Sequence, residues 1–182
     1  EAMSELEEDR GRLYGLLGWL MMTLGEHKKG RAASEQAITL AEKSNDFYTM
    51  SRAYATAGLA SCFLGDFPAA FPAIEKAESI AREHDLAAEL AFILGSRAQL
   101  EFIGKGDLPI ARVSVLEASD LVHKAGFIWA STFLDIGMGH IAAVMGDLET
   151  ARAAFGRSAD TARRLGNKRG AYPESVAVQH RY

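Results

Sequence analysis

The sequence predicts an all-α protein built from about four antiparallel helix pairs. The first observation is that a Gly followed by an acidic residue recurs at intervals of 40, 41 and 40 residues. These pairs are Gly25-Glu26, Gly65-Asp66, Gly106-Asp107 and Gly146-Asp147. The second observation is that apolar residues between the pairs recur at steps of three and four, and that no segment alternates as a strand would. A regular period of this length in a chain of 182 residues is typical of a repeat array.

Each repeat is expected to contain, in order, a helix A, the Gly-acidic turn, a helix B and a polar break. The polar breaks are Ser44-Asn45-Asp46, Glu83-His84-Asp85 and Gly166-Asn167-Lys168. We therefore expect one repeat domain, 1–182, with units of approximately 5–46, 47–85, 86–126 and 127–168. Residues 169–182 would form a truncated cap or the start of a further helix, as in a fragment of a longer protein, because repeat arrays normally end in a polar cap.

Small residues indicate where helix A meets helix B. Seven residues before the turn glycines stand Gly18, Gly58 and Gly139, with Gln99 in the third unit. A glycine inside a helix costs roughly 1 kcal/mol relative to Ala, so close contact between the two helices must offset that cost. The matching small residues on helix B are Gly30, Ala70, Ala111 and Ala151. The acidic residue of each turn is expected to cap helix B, and Pro72 to kink or delay the start of its helix.

Composition and charge exclude several classes of protein. With 48% hydrophobic and 24% charged residues, the chain has a globular composition and is not disordered. A single cysteine, Cys62, cannot form an internal disulfide, which favours a reducing, cytoplasmic compartment. The longest apolar stretch, Leu13–Leu24, is twelve residues, shorter than a membrane-spanning helix requires. The net charge of −4 disfavours nucleic-acid binding, so we expect neither a nucleic acid nor a membrane as partner.

This arrangement resembles the tetratricopeptide repeat, with its large and small helix-A positions, Gly-Asp turn and small-large-small helix-B positions. The second unit matches in order at Tyr54, Gly58, Gly65-Asp66-Phe67, Ala70, Ile74 and Ala77. The first unit matches at Tyr14, Gly18, Gly25, Ile38 and Leu40, and the fourth at Gly139, Gly146-Asp147-Leu148, Ala151 and Phe155. The third unit matches least, because Gln99 replaces Gly and one extra residue lies near Gly104 and Gly106.

The resemblance implies a right-handed α-solenoid superhelix whose concave groove is lined by helix A. The period near 40 is similar to the longer-helix variety of the family, which is found in regulatory and signalling proteins. Carried onto this sequence, the expected groove residues are Arg12, Trp19, Tyr48, Arg52, Leu59, Leu100, Trp129, Phe133 and His140. In the third unit, Ile93 is placed in the column of Arg12 and Arg52, and Glu89 in the column of Tyr48 and Trp129.

One use of this groove is the leading expectation, and two alternatives stand beside it. The leading expectation is a non-catalytic scaffold that binds a peptide or partner domain and regulates an effector in signalling or transcription. An acidic or C-terminal peptide could bind Arg12 and Arg52, with Trp19 and Trp129 as apolar anchors. Taken singly, Trp19 could instead be a core residue and Arg52 a paired surface charge. The alternatives are a small-molecule sensor, with His140 and Arg97 in a closed pocket, and a self-association module using exposed end helices.

Motifs for catalysis are not found in the sequence. The five histidines lack the spacing of a helical zinc site. Residues 137–142 carry the letters of a dinucleotide-binding fingerprint, but that motif requires a preceding strand. We therefore expect no enzymatic activity, no cofactor and no metal ion.

Overall fold

The structure is a computed structural model that describes residues 2–126 and 128–166. The described residues form helices and short turns, without a strand, which confirms the predicted all-α, tetratricopeptide-like array of helix pairs. The helices are α1 (Ala2–Thr23), α2 (His27–Ser44), α3 (Phe47–Phe63), α4 (Phe67–Glu83), α5 (Ala87–Leu100), α6 (Leu108–Ala125), α7 (Ile128–Val144) and α8 (Leu148–Arg164). A π-helical turn, Glu101–Lys105, continues α5. The helix start expected within 169–182 lies outside the described residues.

The helices pack as consecutive pairs within two compact units. The first unit, Glu1–Ser96, contains α1 packed on α2, α2 on α3, and α3 on α4, together with most of α5. The second unit, Arg97–Tyr182, contains the π-helical turn, α6 packed on α7, and α7 packed on α8. The division into four repeat units within a single domain stays a prediction.

The glycines inside helix A lie where the paired helices approach most closely. A β-carbon added at Gly58 would lie 2.9 Å from Cγ1 of Ile74 on α4. One added at Gly139 would lie 2.5 Å from the ring of Phe155 on α8, and one at Gly18 2.5 Å from Oγ of Ser34 on α2. Side chains do not tolerate such distances, so the predicted close contact of helix A with helix B is confirmed at these three positions.

The turns supply the caps that the sequence predicts, with one exception. The side chains of Asp66, Asp107 and Asp147 each accept a hydrogen bond from the backbone N–H three residues later, at 3.1 to 3.4 Å. Asp46, which follows Asn45 in a polar break, caps α3 in the same way at 3.1 Å. Glu26 makes no such bond at the start of α2. The expectation that Pro72 delays its helix is wrong, because α4 begins at Phe67 and continues through Pro72, which is exposed.

The π-helical turn accounts for the 41-residue interval. In the other three repeats, the N–H of the residue after the turn glycine donates to the carbonyl five residues earlier, as Asp66 does to Ser61. In the third repeat, Asp107 donates to Glu101, six residues earlier. The extra residue therefore lies within Glu101–Lys105, where the wider π-helical turn accommodates it.

The position of this insertion corrects the register of the third helix A. Residues before the insertion are 40 positions from their counterparts in the second repeat, so the counterpart of Gly58 is Ala98. Ala98 is 3% exposed, whereas Gln99 is exposed to solvent. The assignment of Gln99 to the helix-crossing position is therefore wrong by one residue.

Replacing Gly58 tests the helix crossing. We expect Gly58→Leu to lower the free energy of unfolding by about 1–3 kcal/mol, because its side chain would overlap Ile74 and the carbonyl of Ala70. Urea unfolding followed by circular dichroism measures the change. The control is Gly156→Ala in α8, where an added β-carbon meets no atom within 4 Å. That substitution should be neutral or stabilise by up to about 1 kcal/mol, and equal losses in both variants would contradict this account of the crossing.

Deleting single glycines tests the insertion. We expect deletion of Gly104 to leave the thermal midpoint nearly unchanged, because Glu101, Phe102 and Ile103 would then align with the second repeat on an α-helical turn. Deletion of Gly95 should cost about 2 kcal/mol or more, because it moves Gln99 into the place of Ala98 and a carboxylate into the place of buried Leu100. Calorimetry of both deletions decides the point, and equal destabilisation would place the insertion elsewhere.

Candidate functional site

Five side chains of the first unit meet on its helix-A surface. Trp19 comes from α1, Tyr48 and Arg52 from α3, and Glu89 and Phe92 from α5. Trp19, Tyr48 and Arg52 belong to the expected groove set, and Arg52 is the residue that contacts most of the others. These five residues are called the Arg52 cluster.

Glu89 holds the guanidinium of Arg52 in one orientation. Nε of Arg52 donates to Oε2 of Glu89 at 2.7 Å, and its second terminal nitrogen donates to Oε1 at 2.8 Å. The Glu89 side chain is only 2% exposed. A carboxylate removed from water requires a hydrogen-bonded cation, and the two-point geometry of Arg satisfies it. The pair therefore fixes both the position and the plane of the guanidinium.

Aromatic rings surround this guanidinium. Its central carbon lies 5.6 Å from the ring centroid of Tyr48 and 5.4 Å from that of Phe92. Both distances are within the range of cation–π attraction. The Phe92 ring in turn meets Trp19 edge-on, with centroids 5.1 Å apart and planes at 86°. The result is an aromatic surface shared by α1, α3 and α5, with one cation held inside it.

The environment of the Arg52 cluster raises the pKa values of Tyr48 and Arg52. Burial raises the pKa of the Tyr48 phenol, and the neighbouring Glu89 carboxylate raises it further against the opposing effect of Arg52. Burial by itself lowers the pKa of Arg52, but the hydrogen bonds and charge of Glu89 outweigh that effect and raise it. Arg52 is therefore a permanent cation, and Tyr48 stays a neutral hydrogen-bond donor and acceptor at physiological pH.

Both arginines expected to bind a peptide carboxylate already have carboxylate partners. Arg52 is held by Glu89, and Nε of Arg12 donates to Oδ2 of Asp46 at 3.1 Å. Arg12 also forms an ion pair with Glu8. The structure corrects the expectation of a free two-arginine clamp for an acidic peptide, and Arg52 is instead the paired charge that the sequence left as an alternative.

The structure also corrects two apolar members of the expected groove set. Leu59 is buried in a core cluster with Met22 and Ala60. Leu100 is fully buried, and its assignment carried the same one-residue error as Gln99. In the corrected register, Phe92 is the counterpart of Arg52 in place of Ile93, and Gln99 is the counterpart of Leu59. Neither leucine presents its side chain to a partner.

The remaining expected residues belong to the second unit. Phe133 is largely exposed on α7. His140 is exposed on the same helix, and its ring meets that of Phe155 with centroids 5.3 Å apart. An exposed His140 does not support the closed pocket of the sensor alternative. Trp129 belongs to α7, and its side chain lies outside the described part of the structure.

Sequence reasoning missed Phe92 and the role of Glu89. Counting 40 residues forward from Arg52, rather than backward from Gly106, would have identified Phe92. Glu89 stands in the apolar run Ala87–Leu94. A lone carboxylate in such a run is a signal that a cation from another helix neutralises it.

Neither a metal cluster nor a membrane-spanning helix is found among the described residues. No group of three or more His, Cys, Asp or Glu side chains there is arranged to hold a metal ion. Within the same ranges, no helix has both the length and the apolar character needed to cross a membrane.

Substitution of Glu89 tests the electrostatics of the cluster. We expect Glu89→Gln to lower the pKa of Tyr48, because the carboxylate that raises it is removed while the opposing charge of Arg52 remains. The change is measured by ultraviolet titration of tyrosinate. Subtracting the titration curve of the matching Tyr48→Phe chain leaves the signal of Tyr48 alone. The control is Glu42→Gln, since Glu42 accepts a hydrogen bond from Tyr54 at 3.0 Å and should affect Tyr54 alone. An unchanged Tyr48 titration in Glu89→Gln would contradict the assigned contact.

Comparison with known proteins agrees with this geometry. Residues 11–44 match the model of the tetratricopeptide repeat family. The match covers most of α1 and all of α2, and thus one helix pair with its turn. No curated protein gives a significant match to the chain. Residues 11–44 therefore form a tetratricopeptide repeat, and three further Gly-Asp turns follow it between α3 and α4, between the π-helical turn and α6, and between α7 and α8.

Proposed function

We propose that the Arg52 cluster binds a segment of a partner protein, and that this binding regulates an effector in signalling or transcription. Tetratricopeptide repeats generally mediate protein–protein interactions. The observation that carries the proposal is the aromatic surface around a fixed guanidinium, in which Tyr48 is 48% exposed although its neighbours hold it in place.

The composition of the cluster supports a binding role. Tyr, Trp and Arg are the residue types that contribute most at protein interfaces, since they offer large contact areas with few rotatable bonds. Here Glu89 immobilises Arg52, and Phe92 packs between Arg52 and Trp19. Side chains already ordered in the free protein lose little entropy when a partner binds.

The charges favour a neutral or basic partner segment with an apolar anchor. Glu89 occupies two of the five N–H groups of Arg52 and neutralises its charge, so that a partner carboxylate cannot take the side-on position at Nε and gains less from the cation. The chain also carries a net charge of −4, which repels acidic partners at a distance. An aromatic or aliphatic side chain of the partner can pack on Tyr48 and Trp19 without competing with Glu89 for Arg52 and without being repelled by the net negative charge. Backbone carbonyls of the partner are suitable acceptors for the other N–H groups of Arg52.

Selection of peptides tests this proposal. A random peptide library displayed on phage is selected on the immobilised chain, and the enriched peptides are measured by fluorescence anisotropy. We expect enrichment of aromatic and aliphatic residues without acidic runs. We also expect Tyr48→Ala to weaken binding about tenfold or more, as a central interface residue does.

The matched control is Phe133→Ala. Phe133 occupies the helix-A position of Arg52 and Phe92 in the fourth repeat, is 61% exposed, and belongs to the second unit. Its replacement should leave binding unchanged. Loss of binding in Phe133→Ala but not in Tyr48→Ala would move the site to the second unit, and enrichment of acidic peptides would contradict the proposed chemistry.

A further inference from the structure

Helix α1 carries a row of exposed leucines on the side opposite its contact with α2. The side that faces α2 includes Gly11 and Gly18, whose α-carbons lie close to Leu40 and Ser34 of α2. On the other side, Leu13, Leu17 and Leu20 of α1, and Leu24 in the turn that directly follows it, stand at steps of four, three and four, which is the spacing of a heptad seam. With Leu16 beside them, these residues are 41 to 65% exposed. Leu13, Leu16, Leu17, Leu20 and Leu24 are called the leucine stripe.

The second repeat shows that the same face of its helix A, α3, is covered by other helices. The counterparts of Leu13, Leu16, Leu17 and Leu20, 40 residues later on α3, are Ala53, Thr56, Ala57 and Ala60. These four residues are at most 7% exposed. Helix α3 packs there on α2 and contacts α1, with Ala60 in one buried cluster with Met22. The face of helix A that bears the leucine stripe is therefore a face suited to another helix.

The large side chains of the leucine stripe indicate that the helix packed against it differs from α2, the helix B that packs against α3. On α3, small and buried residues stand at these positions, and such residues allow a neighbouring helix to approach closely. On α1, leucines occupy all of the corresponding positions and hold a neighbouring helix further away. This greater separation is typical of leucine-rich helices that interdigitate along a heptad seam.

Helix α1 also provides a receptor for such a leucine. Arg10, Leu13, Tyr14 and Leu17 line an open depression of about 210 Å³ with mostly apolar walls. Their spacing of i, i+3, i+4 and i+7 is that of the four residues that form a hole in knobs-into-holes packing. The same helix thus carries both the projecting leucines and the hole that can receive a leucine. The leucine stripe is therefore complementary to a second copy of itself, as a two-fold dimer requires.

We propose that the chain dimerises through the leucine stripes of two α1 helices packed antiparallel. The segment from Leu13 to Leu24, which is the end of α1 and the first turn residue, has no charged residue, whereas Asp9, Arg10 and Arg12 precede it. A parallel pair would place Arg10 beside its own copy, which is unfavourable. An antiparallel pair centred between Leu17 and Leu20 overlaps only the uncharged segments and keeps Arg10 at the rim.

The contact is short, and the dimer is therefore reversible. Twelve residues of helix span about 18 Å, so each copy contributes less area than the roughly 800 Å² of a typical stable interface. The dimer is expected to form as the protein concentration rises and to dissociate on dilution. Its surface lies on α1 alone and uses none of the five residues of the Arg52 cluster.

Sedimentation velocity over a concentration series tests the dimer. The mass of the wild-type chain should rise from 19.7 kDa toward twice that value. The double variant Leu17→Glu, Leu20→Glu should stay monomeric at every concentration. Leu116→Glu, which alters a leucine of similar exposure on α6, should associate as the wild type does. Circular dichroism checks that all three proteins are equally helical. A wild-type chain that stays monomeric, or a double variant that still associates, overturns the proposal.

Disulfide trapping tests the orientation. In a Cys62→Ala background, Leu13→Cys and Leu24→Cys chains are prepared separately and then mixed under oxidising conditions. The antiparallel arrangement brings residue 13 of one copy beside residue 24 of the other, so that dimers should be trapped efficiently only in the mixture. Efficient trapping by Leu13→Cys alone would show a parallel pair. Trapping in neither case, while the sedimenting mass still doubles, would place the contact away from α1. Either result overturns the proposed dimer.

Discussion

The close approach of helix A to helix B is the contact on which the rest of the structure depends. At Gly18, Gly58 and Gly139 the backbone of one helix touches side chains of the next, with no space for a β-carbon. Each glycine costs roughly 1 kcal/mol of helix stability, and the packing that it permits offsets this cost. Because the contact fixes the geometry of each pair, it also determines which face of helix A is turned away from helix B.

The Arg52 cluster is built on a face that this geometry leaves available. Glu89 is buried and Arg52 is partly exposed, so one ion pair connects the interior of the first unit with its surface. Removing either partner would leave the other without its counter-charge, and the penalty is largest for the buried carboxylate. The residues proposed to contact a partner are thus held by residues that also stabilise the fold, and this explains why the surface is ordered before anything binds.

The period predicts the fold well because it arises from local chemistry. A turn glycine followed by aspartate ends one helix and caps the next, and Asp66, Asp107 and Asp147 all cap as expected. The site was less predictable, for two physical reasons. The sequence shows that the third repeat has an extra residue but not on which side of α5 it falls, and this shifted Phe92, Ala98 and Leu100 by one position. The pairing of Arg52 with Glu89 depends on the distance between α3 and α5, which helical periodicity does not report.

The π-helical turn at Glu101–Lys105 has a consequence for how such arrays change length. Gains and losses of residues are normally tolerated in loops, where backbone groups can bond to water. Here Gly106 keeps the left-handed conformation and Asp107 the capping bond of the other Gly-Asp turns, and the additional residue is taken up within the helix before them. Mutational drift in a repeat protein of this kind can therefore add a residue inside a helix while leaving the joints between helices intact. In a regular α-helix an extra residue would rotate the side chains beyond it by about 100°, the angle between successive residues. The π-helical turn absorbs that rotation, because Ala98 before it stays buried and Asp107 after it still caps the next helix. A single inserted codon then alters the surface of one helical turn and leaves the buried face of the array in register.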